Sequence, residues 1–231
     1  MPGTLFIVST PIGNLRDISI RALDILKNVD LILCEDTRVT KKLLDHYGIK
    51  TPTLSYHEHS KLKKIEYIIQ LLKEGKNLAL VSDAGTPGIS DPGNKLIELI
   101  VKDLENEVKI VPIPGSSAIT TAVSISGLPM DKFIFLGFPP AKRKRKKFFE
   151  EVINSKYPVI FYESPYRIIK TLNELNSLYT KYNIQNTNTV VCRELTKKFE
   201  TIYRGEIEEV LNQLKKNEIK GEFVVIVEGR K

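Results

Sequence analysis

The sequence predicts an α/β protein of two lobes, and three features carry that reading. Short runs rich in Val, Ile and Phe alternate with longer stretches of helical period, the pattern of sheets covered by helices. A segment punctuated by Pro and Gly, VPIPGSS (111–117), falls near the midpoint and leaves about half of the strands on each side. The chain of 231 residues, 42% of them hydrophobic, is long enough to bury a good core. The boundary is placed near residue 114, giving lobes 1–114 and 115–231 that share a cleft.

In chain order, TLFIVS reads as the first strand, followed by a helix near 18–27, the strand DLILCE and a helix near 38–47. A helix near 60–74 has Leu62, Ile65, Ile68, Ile69 and Leu72 at three- and four-residue steps, which gives it one apolar face. NLALVS, a helix near 93–103 and the strand VKIVPI complete the first half. The Ser pair of VPIPGSS can cap a helix near 117–126, and FIFLGF, a helix near 143–154 and PVIFYE follow. A helix near 165–179, the strands TVVCRE and ETIYRG, a helix near 206–216 and EFVVIVE end the chain.

Composition excludes several classes. No apolar run approaches the ~20 residues of a membrane span, and the N-terminus has neither a basic leader nor a small-residue cleavage site. Cys34 and Cys192 each lie inside an apolar run, outside any C-x-x-C or Cys/His cluster, so reduced core cysteines in a cytoplasmic protein without structural zinc are expected. No G-x-x-x-x-G-K-[ST] occurs, and the first loop is not G-x-G-x-x-G. The net charge of +7 favours a polyanionic partner such as nucleic acid.

Four loops each follow an expected strand, where ligands of open α/β sheets bind. STPIGNLRD (9–17) holds Pro11 and Gly13, and reads either as a close backbone approach to a ligand or as a tight turn. SDAGTPGISDPG (82–93) places Asp83 at the strand end, where a carboxylate could hold the hydroxyls or amine of a nucleoside-like ligand; alternatively Asp83 and Asp91 only cap turns. CEDTR (34–38) offers Glu35, Asp36 and Arg38, with an N-cap at Asp36 or Thr37 as the simpler reading. ESPYR (163–167) is the fourth loop. In YHEHS, the pair His57 and His59 lacks a third ligand at a recognised spacing, so no metal site is expected, and His57 could instead be a general base. The run Lys142, Arg143, Lys144, Arg145, Lys146 and Lys147 is read as the start of a surface helix. Six like charges repel there, which suits a phosphate-backbone footprint, against the simpler reading of a solvated face.

Taken in order, STPIGNLRDIS, CEDTRVTKKLL, SDAGTPGISDPG, PIPGSSA, SGLP, FLGFPP, FYESPYR and REL with KKFE resemble the ribosomal RNA small subunit methyltransferase I family, within the tetrapyrrole (corrin/porphyrin) methylase superfamily. The resemblance runs from residue 9 to 200. It implies a class III methyltransferase of two α/β lobes with the cofactor cleft between them, usually a homodimer. It also implies S-adenosylmethionine-dependent 2′-O-methylation of a cytidine ribose in the decoding region of 16S rRNA on the small subunit. Carried over by position, the cofactor residues are Thr10, Pro11, Asp83, Ala84, Gly85, Thr86, Ser117, Ala118, Tyr162 and Glu222. The small helical C-terminal region common in the family is not found after VVIVEGRK, which throws more weight on Lys142–Lys147 for docking RNA.

Methyl transfer to a ribose hydroxyl is an in-line displacement that needs alignment and help with the proton. Asp36 or His57 is expected to accept that proton, with Arg38, Arg167 and Arg193 holding phosphates or the oxyanion and no cation required. Two rivals remain: a tetrapyrrole (precorrin or porphyrinogen) C-methyltransferase sharing the cofactor cleft, and a catalytically silent rRNA-binding module.

Overall fold

In the computed structural model, described for residues 2–57, 62–91, 94–104, 107–184, 187–216 and 219–230, the chain forms two compact units, Met1–Ser117 and Ala118–Lys231.

The first unit is a five-stranded sheet of order β3-β2-β4-β1-β5, made of β1 (Thr4–Val8), β2 (Leu31–Cys34), β3 (Thr53–Ser55), β4 (Leu78–Val81) and β5 (Lys109–Ile113). Every pairing in it is parallel. Parallel strands need crossovers, and the apolar alternation decides which face each helix covers. Leu5, Leu33, Leu78 and Leu80 point to one face, against α3 (Leu62–Lys73) and α4 (Asn94–Leu104). Val8, Ile32, Cys34, Ala79 and Val81 point to the other, against α1 (Ile20–Asn28) and α2 (Thr37–His46). The apolar face expected on the 60–74 helix is there: Ile65, Ile68 and Leu72 are buried, each contributing roughly 1.5–3 kcal/mol. Ser19 caps α1 through the Ala22 N–H at 3.1 Å.

The second unit has a mixed sheet of order β6-β7-β10-β8-β9, comprising β6 (Ile134–Phe135), β7 (Val159–Glu163), β8 (Asn188–Arg193), β9 (Thr201–Glu206) and β10 (Phe223–Val227). Only β6 and β7 run parallel; the others are antiparallel. α6 (Arg145–Asn154), α7 (Ile168–Lys181) and α8 (Ile207–Lys215) cover one face through Phe149, Leu172, Leu175, Val210 and Leu214. α5 (Ala118–Ile125) precedes them, and the Arg204 guanidinium donates to the carbonyls of Ile125 and Ser126 at its end.

Three expectations are corrected. β3 was not expected, because three residues without an apolar run become a strand only by pairing with the edge of β2. The helix expected from 143 begins at Arg145, because Lys144 takes a left-handed turn at φ 66. FIFLGF is also a shorter strand than it reads, since the prolines of GFPP carry no N–H for the ladder.

Both cysteines are buried and free. Burial pushes the Cys192 thiol up to about 12, and it raises Cys34 as well. Among the described residues no helix is long and apolar enough to cross a membrane.

Candidate active site

Because the five strands of the first sheet are parallel, their carboxyl ends lie along one edge. Thr10 and Pro11 follow β1, Glu35 and Asp36 follow β2, His57 follows β3, Asp83 to Thr86 follow β4, and Ser117 lies in the segment after β5. The chain leaves β1 for α1 on one face, and its neighbour β4 for α4 on the other. Loops that part in this way open a crevice at the sheet edge.

Short bonds hold the β1 and β4 loops together at that point. Thr10 N–H donates to the Gly85 carbonyl at 2.9 Å and the Gly85 N–H returns the bond at 3.0 Å. Thr10 Oγ1 donates to the Ser82 carbonyl at 3.1 Å. Thr86 Oγ1 donates to the Ser116 carbonyl at 3.1 Å; its one proton is thereby spent, so Ser9 Oγ is the donor in their 2.9 Å contact. Gly85 sits at φ +83, and a Cβ there would meet Ile12 Cγ2 at 3.3 Å. A Cβ on Gly115 would lie 2.9 Å from Ser9 Cβ. These two glycines therefore let three strand-end loops close on one another.

The expected cofactor residues of this unit thus divide into two kinds. Thr10, Pro11 and Gly85 are buried, Thr10 and Gly85 bracing the loops, while Asp83 and Ala84 are exposed. Ser9, Ser82, Gly115 and Ser116 complete the brace; the sequence reading missed them because small polar residues in loops carry no periodic signal. Ser116, read as a helix cap, donates instead to the Asp17 carbonyl at 3.2 Å. Farther along, Asp91 Oδ1 accepts from the Gly88 N–H at 2.6 Å and Asn94 Nδ2 donates to the Gly88 carbonyl at 3.0 Å, so Gly88 to Asp91 is a self-closed turn. Pro92 and Gly93 lie outside the described residues.

Carboxylates gather at the same edge. Asp83 Oδ1 accepts the Asp36 N–H at 3.0 Å. Burial first, opposed by that hydrogen bond, pushes the Asp83 carboxyl above its ordinary value. Burial and then the charges of Asp83, Asp91 and Asp36 do the same for Glu35. Glu35, Tyr56, Ser82, Pro87 and Asp91 line one small cavity.

Asp36 is different. It caps α2 by accepting the Arg38 N–H at 2.8 Å, and the Arg38 guanidinium closes on it at 2.6 Å. These bonds hold its carboxyl at about 2. Such a carboxylate is a feeble proton acceptor at neutral pH, which weighs against Asp36 and toward His57 as the base. Its folded value lies below its unfolded value, so the stability it adds is complete above the unfolded pKa and is lost as pH falls through about 2. Between about pH 5 and 9 it does not titrate, and Asp36→Asn, which keeps a capping side chain, is expected to leave the shape of the pH–rate profile unchanged. A limb that vanished in this variant would return the role to Asp36. His57 is exposed just after β3; Glu58 and His59 lie outside the described residues. Among the described residues no three His, Cys, Asp or Glu side chains group as metal ligands would.

In the second unit, Tyr162 on β7 pairs in register with Val224 on β10, and Glu222 lies just before that strand. The Glu222 carboxylate is engaged by Lys197 Nζ at 2.9 Å, and Lys197 also holds Glu194 at 2.8 Å. Arg193 Nε donates to the Lys220 carbonyl at 2.8 Å.

The basic run is split by the fold. Lys142, Arg143, Lys144, Lys146 and Lys147 are exposed, but Arg145 is buried, which corrects its expected place in an RNA footprint. Its guanidinium donates to Glu174 at 2.7 Å, to Thr171 Oγ1 at 2.6 Å and to the Pro140 carbonyl at 3.1 Å. Thr171 passes its own proton to the fully buried Glu163 at 2.6 Å. Arg167 pairs with the other oxygen of Glu163 at 2.8 Å and donates to the Pro139 carbonyl at 3.0 Å. A single buried carboxylate thus fastens the ESPYR loop to the GFPP segment.

Two of the solved structures that share this fold are methyltransferases. A cobalamin biosynthetic enzyme, cobalt precorrin-4 methyltransferase, matches with a TM-score of 0.68 at 18% identity, over 97% of this chain and 94% of that one. The uroporphyrin III C-methyl transferase of Thermus thermophilus matches at 0.62 and 15% identity, over 98% and 97%. The fold is therefore that of the class III methyltransferases. The family model described as Tetrapyrrole (Corrin/Porphyrin) Methylases matches residues 4–211, and the chain belongs to that family. It is 46% identical to the ribosomal RNA small subunit methyltransferase I of Halalkalibacterium halodurans, over 98% of this chain and 76% of that protein. It is 42% identical to the protein of that name in Thermotoga maritima, over 99% of both, and 46% identical to that of Bacillus subtilis, over 98% and 75%.

Enzymes of this family use S-adenosylmethionine. The first-unit loops suit such a molecule: the exposed Asp83 carboxylate has the chemistry to accept from ribose hydroxyls, and it stands on the loops that Gly85 and Gly115 let close on one another.

Proposed function

We propose that this protein is an S-adenosylmethionine-dependent methyltransferase that modifies the 2′-hydroxyl of a cytidine ribose in the decoding region of 16S rRNA, acting on the small ribosomal subunit. The observation that carries the reading is the 42–46% identity, over nearly the whole chain, to proteins named for small-subunit rRNA methylation. It acts in the cytoplasm as a homodimer.

When bound, S-adenosylmethionine supplies a methyl group on a sulfonium. That chemistry would leave the chain two tasks, to align the acceptor hydroxyl and to receive its proton. Asp83, with the backbone of Ala84 beside it, would hold the ribose hydroxyls of the cofactor; Thr10, Gly85 and Thr86 keep that loop in place through the bonds described above. His57, exposed at the same sheet edge, takes the proton, a task for which a histidine is suited near neutral pH. Lys142, Arg143 and Lys144 meet RNA phosphates, so binding weakens steeply with salt.

The test is to incubate the protein with labelled cofactor and undermethylated 30S subunits, and in parallel with a porphyrinogen. Label is expected in RNA, at one cytidine, in an alkali-resistant linkage as a 2′-O-methyl group requires. Label in the porphyrinogen alone would favour the tetrapyrrole reading, and no cofactor affinity by calorimetry would favour a silent RNA-binding module.

A further inference from the structure

Tyr166 is 95% exposed, an unusual place for a large aromatic ring, which normally buries most of its surface. Its backbone is held firmly. Arg167 and Ile168 donate their N–H groups to the Ser164 carbonyl at 3.1 and 3.0 Å, and Arg167 is locked between Glu163 and Pro139. Directly before Pro139, Phe138 is 52% exposed and rests on the Tyr162 ring at 5.3 Å between centroids. The 3.0 Å bond from Arg167 to the Pro139 carbonyl therefore ties together the two loops that carry these rings. The same network anchors the basic turn, because Arg145 grips the Pro140 carbonyl and Thr171 while Lys142, Arg143 and Lys144 remain outside.

We propose that Tyr166, with Phe138, is a stacking platform for an unpaired base of the RNA substrate, placed beside the cationic turn Lys142–Lys144 that holds the neighbouring backbone; this rests on the ribosomal RNA reading above. Charge complementarity selects the occupant. Two exposed rings and three exposed cations, on loops joined through Pro139, Pro140, Arg145 and Arg167, match the aromatic faces and phosphates of single-stranded RNA. A duplex offers phosphates but hides its base faces, so it uses the cations and leaves the rings idle. A ring on a fixed backbone also loses little freedom when a base covers it.

The full chain is titrated with a fluorescent single-stranded RNA oligonucleotide and with the corresponding duplex, over a range of salt. Tyr166→Ala is expected to weaken single-strand binding about tenfold, with duplex binding and the salt slope unchanged. Tyr166→Trp is expected to retain the affinity. The double variant Lys142→Ala with Lys144→Ala is expected to weaken both ligands and lower the salt slope. Thermal unfolding of each variant confirms that it is folded. Wild-type affinity in Tyr166→Ala overturns the proposal. So does a loss confined to intact small subunits with protein-free RNA unaffected, which would place the ring on a ribosomal protein. Failure of the wild type to label 30S subunits, read in the separate methylation assay, sinks the functional reading instead.

Discussion

Glu163→Ala is expected to destabilise the second unit by about 3–5 kcal/mol, a loss large enough to leave much of it unfolded at moderate temperature. The carboxylate is fully buried and accepts from the Ser164 N–H, Thr171 Oγ1 and the Arg167 guanidinium. Its removal strands those donors and leaves Arg145, 8% exposed, with Glu174 as its one remaining carboxylate partner in the network. Glu163→Gln keeps the shape and one acceptor oxygen, so a smaller loss of about 1–3 kcal/mol is expected. Urea denaturation followed by circular dichroism gives both values. A loss below about 1 kcal/mol in the alanine variant would show that the network is not what holds the ESPYR loop.

Gly85→Val is expected to lower affinity for S-adenosylmethionine by at least about tenfold. At φ +83 a side chain costs about 1–2 kcal/mol, and a β-branched one more. The Cβ also comes within 3.3 Å of Ile12 Cγ2 and the two valine methyls crowd that contact further, so the Thr10–Gly85 bridge is expected to shift and to carry Asp83 and Ala84 with it. Gly48→Val is the control, since Gly48 has φ +64 with nothing within 4 Å of an added Cβ. It carries the same backbone strain without touching the loops, and should cost stability alone. Calorimetric titration with the cofactor, beside thermal unfolding, separates the two. Equal affinity losses in both variants would mean that general destabilisation, not the bridge, governs binding.

The legible parts of the molecule are those where local chemistry and tertiary role agree. Apolar runs such as LALV and FVVIV are buried end to end as strands, and the apolar steps of α3 face the core. CEDTR was read in two ways, and the capping reading is the one met by the Asp36 to Arg38 bonds. The strand-end loops marked the candidate site because a Gly-rich segment directly behind an apolar run has few purely structural uses.

The less legible parts depend on what stands across the fold. KRKRKK is uniform as a string, yet Lys144 turns the chain at φ 66 and sends Arg145 inward to a carboxylate that belongs to β7. Thr10, placed in a cofactor loop by resemblance, gives its hydroxyl proton to the Ser82 carbonyl of the neighbouring strand end. Tyr166 carries no sequence signal that separates it from a buried tyrosine such as Tyr179.

By itself, then, the sequence determined the α/β class, the order of nearly all elements, and the loops where chemistry can occur, because hydrophobic period and turn residues act over a few neighbouring positions. Only the tertiary structure decided which side chains of those loops are spent on one another and which stay exposed. Hydrogen bonds between Thr86 and Ser116, or Arg145 and Thr171, join residues far apart in the chain, and no local pattern encodes such a partner.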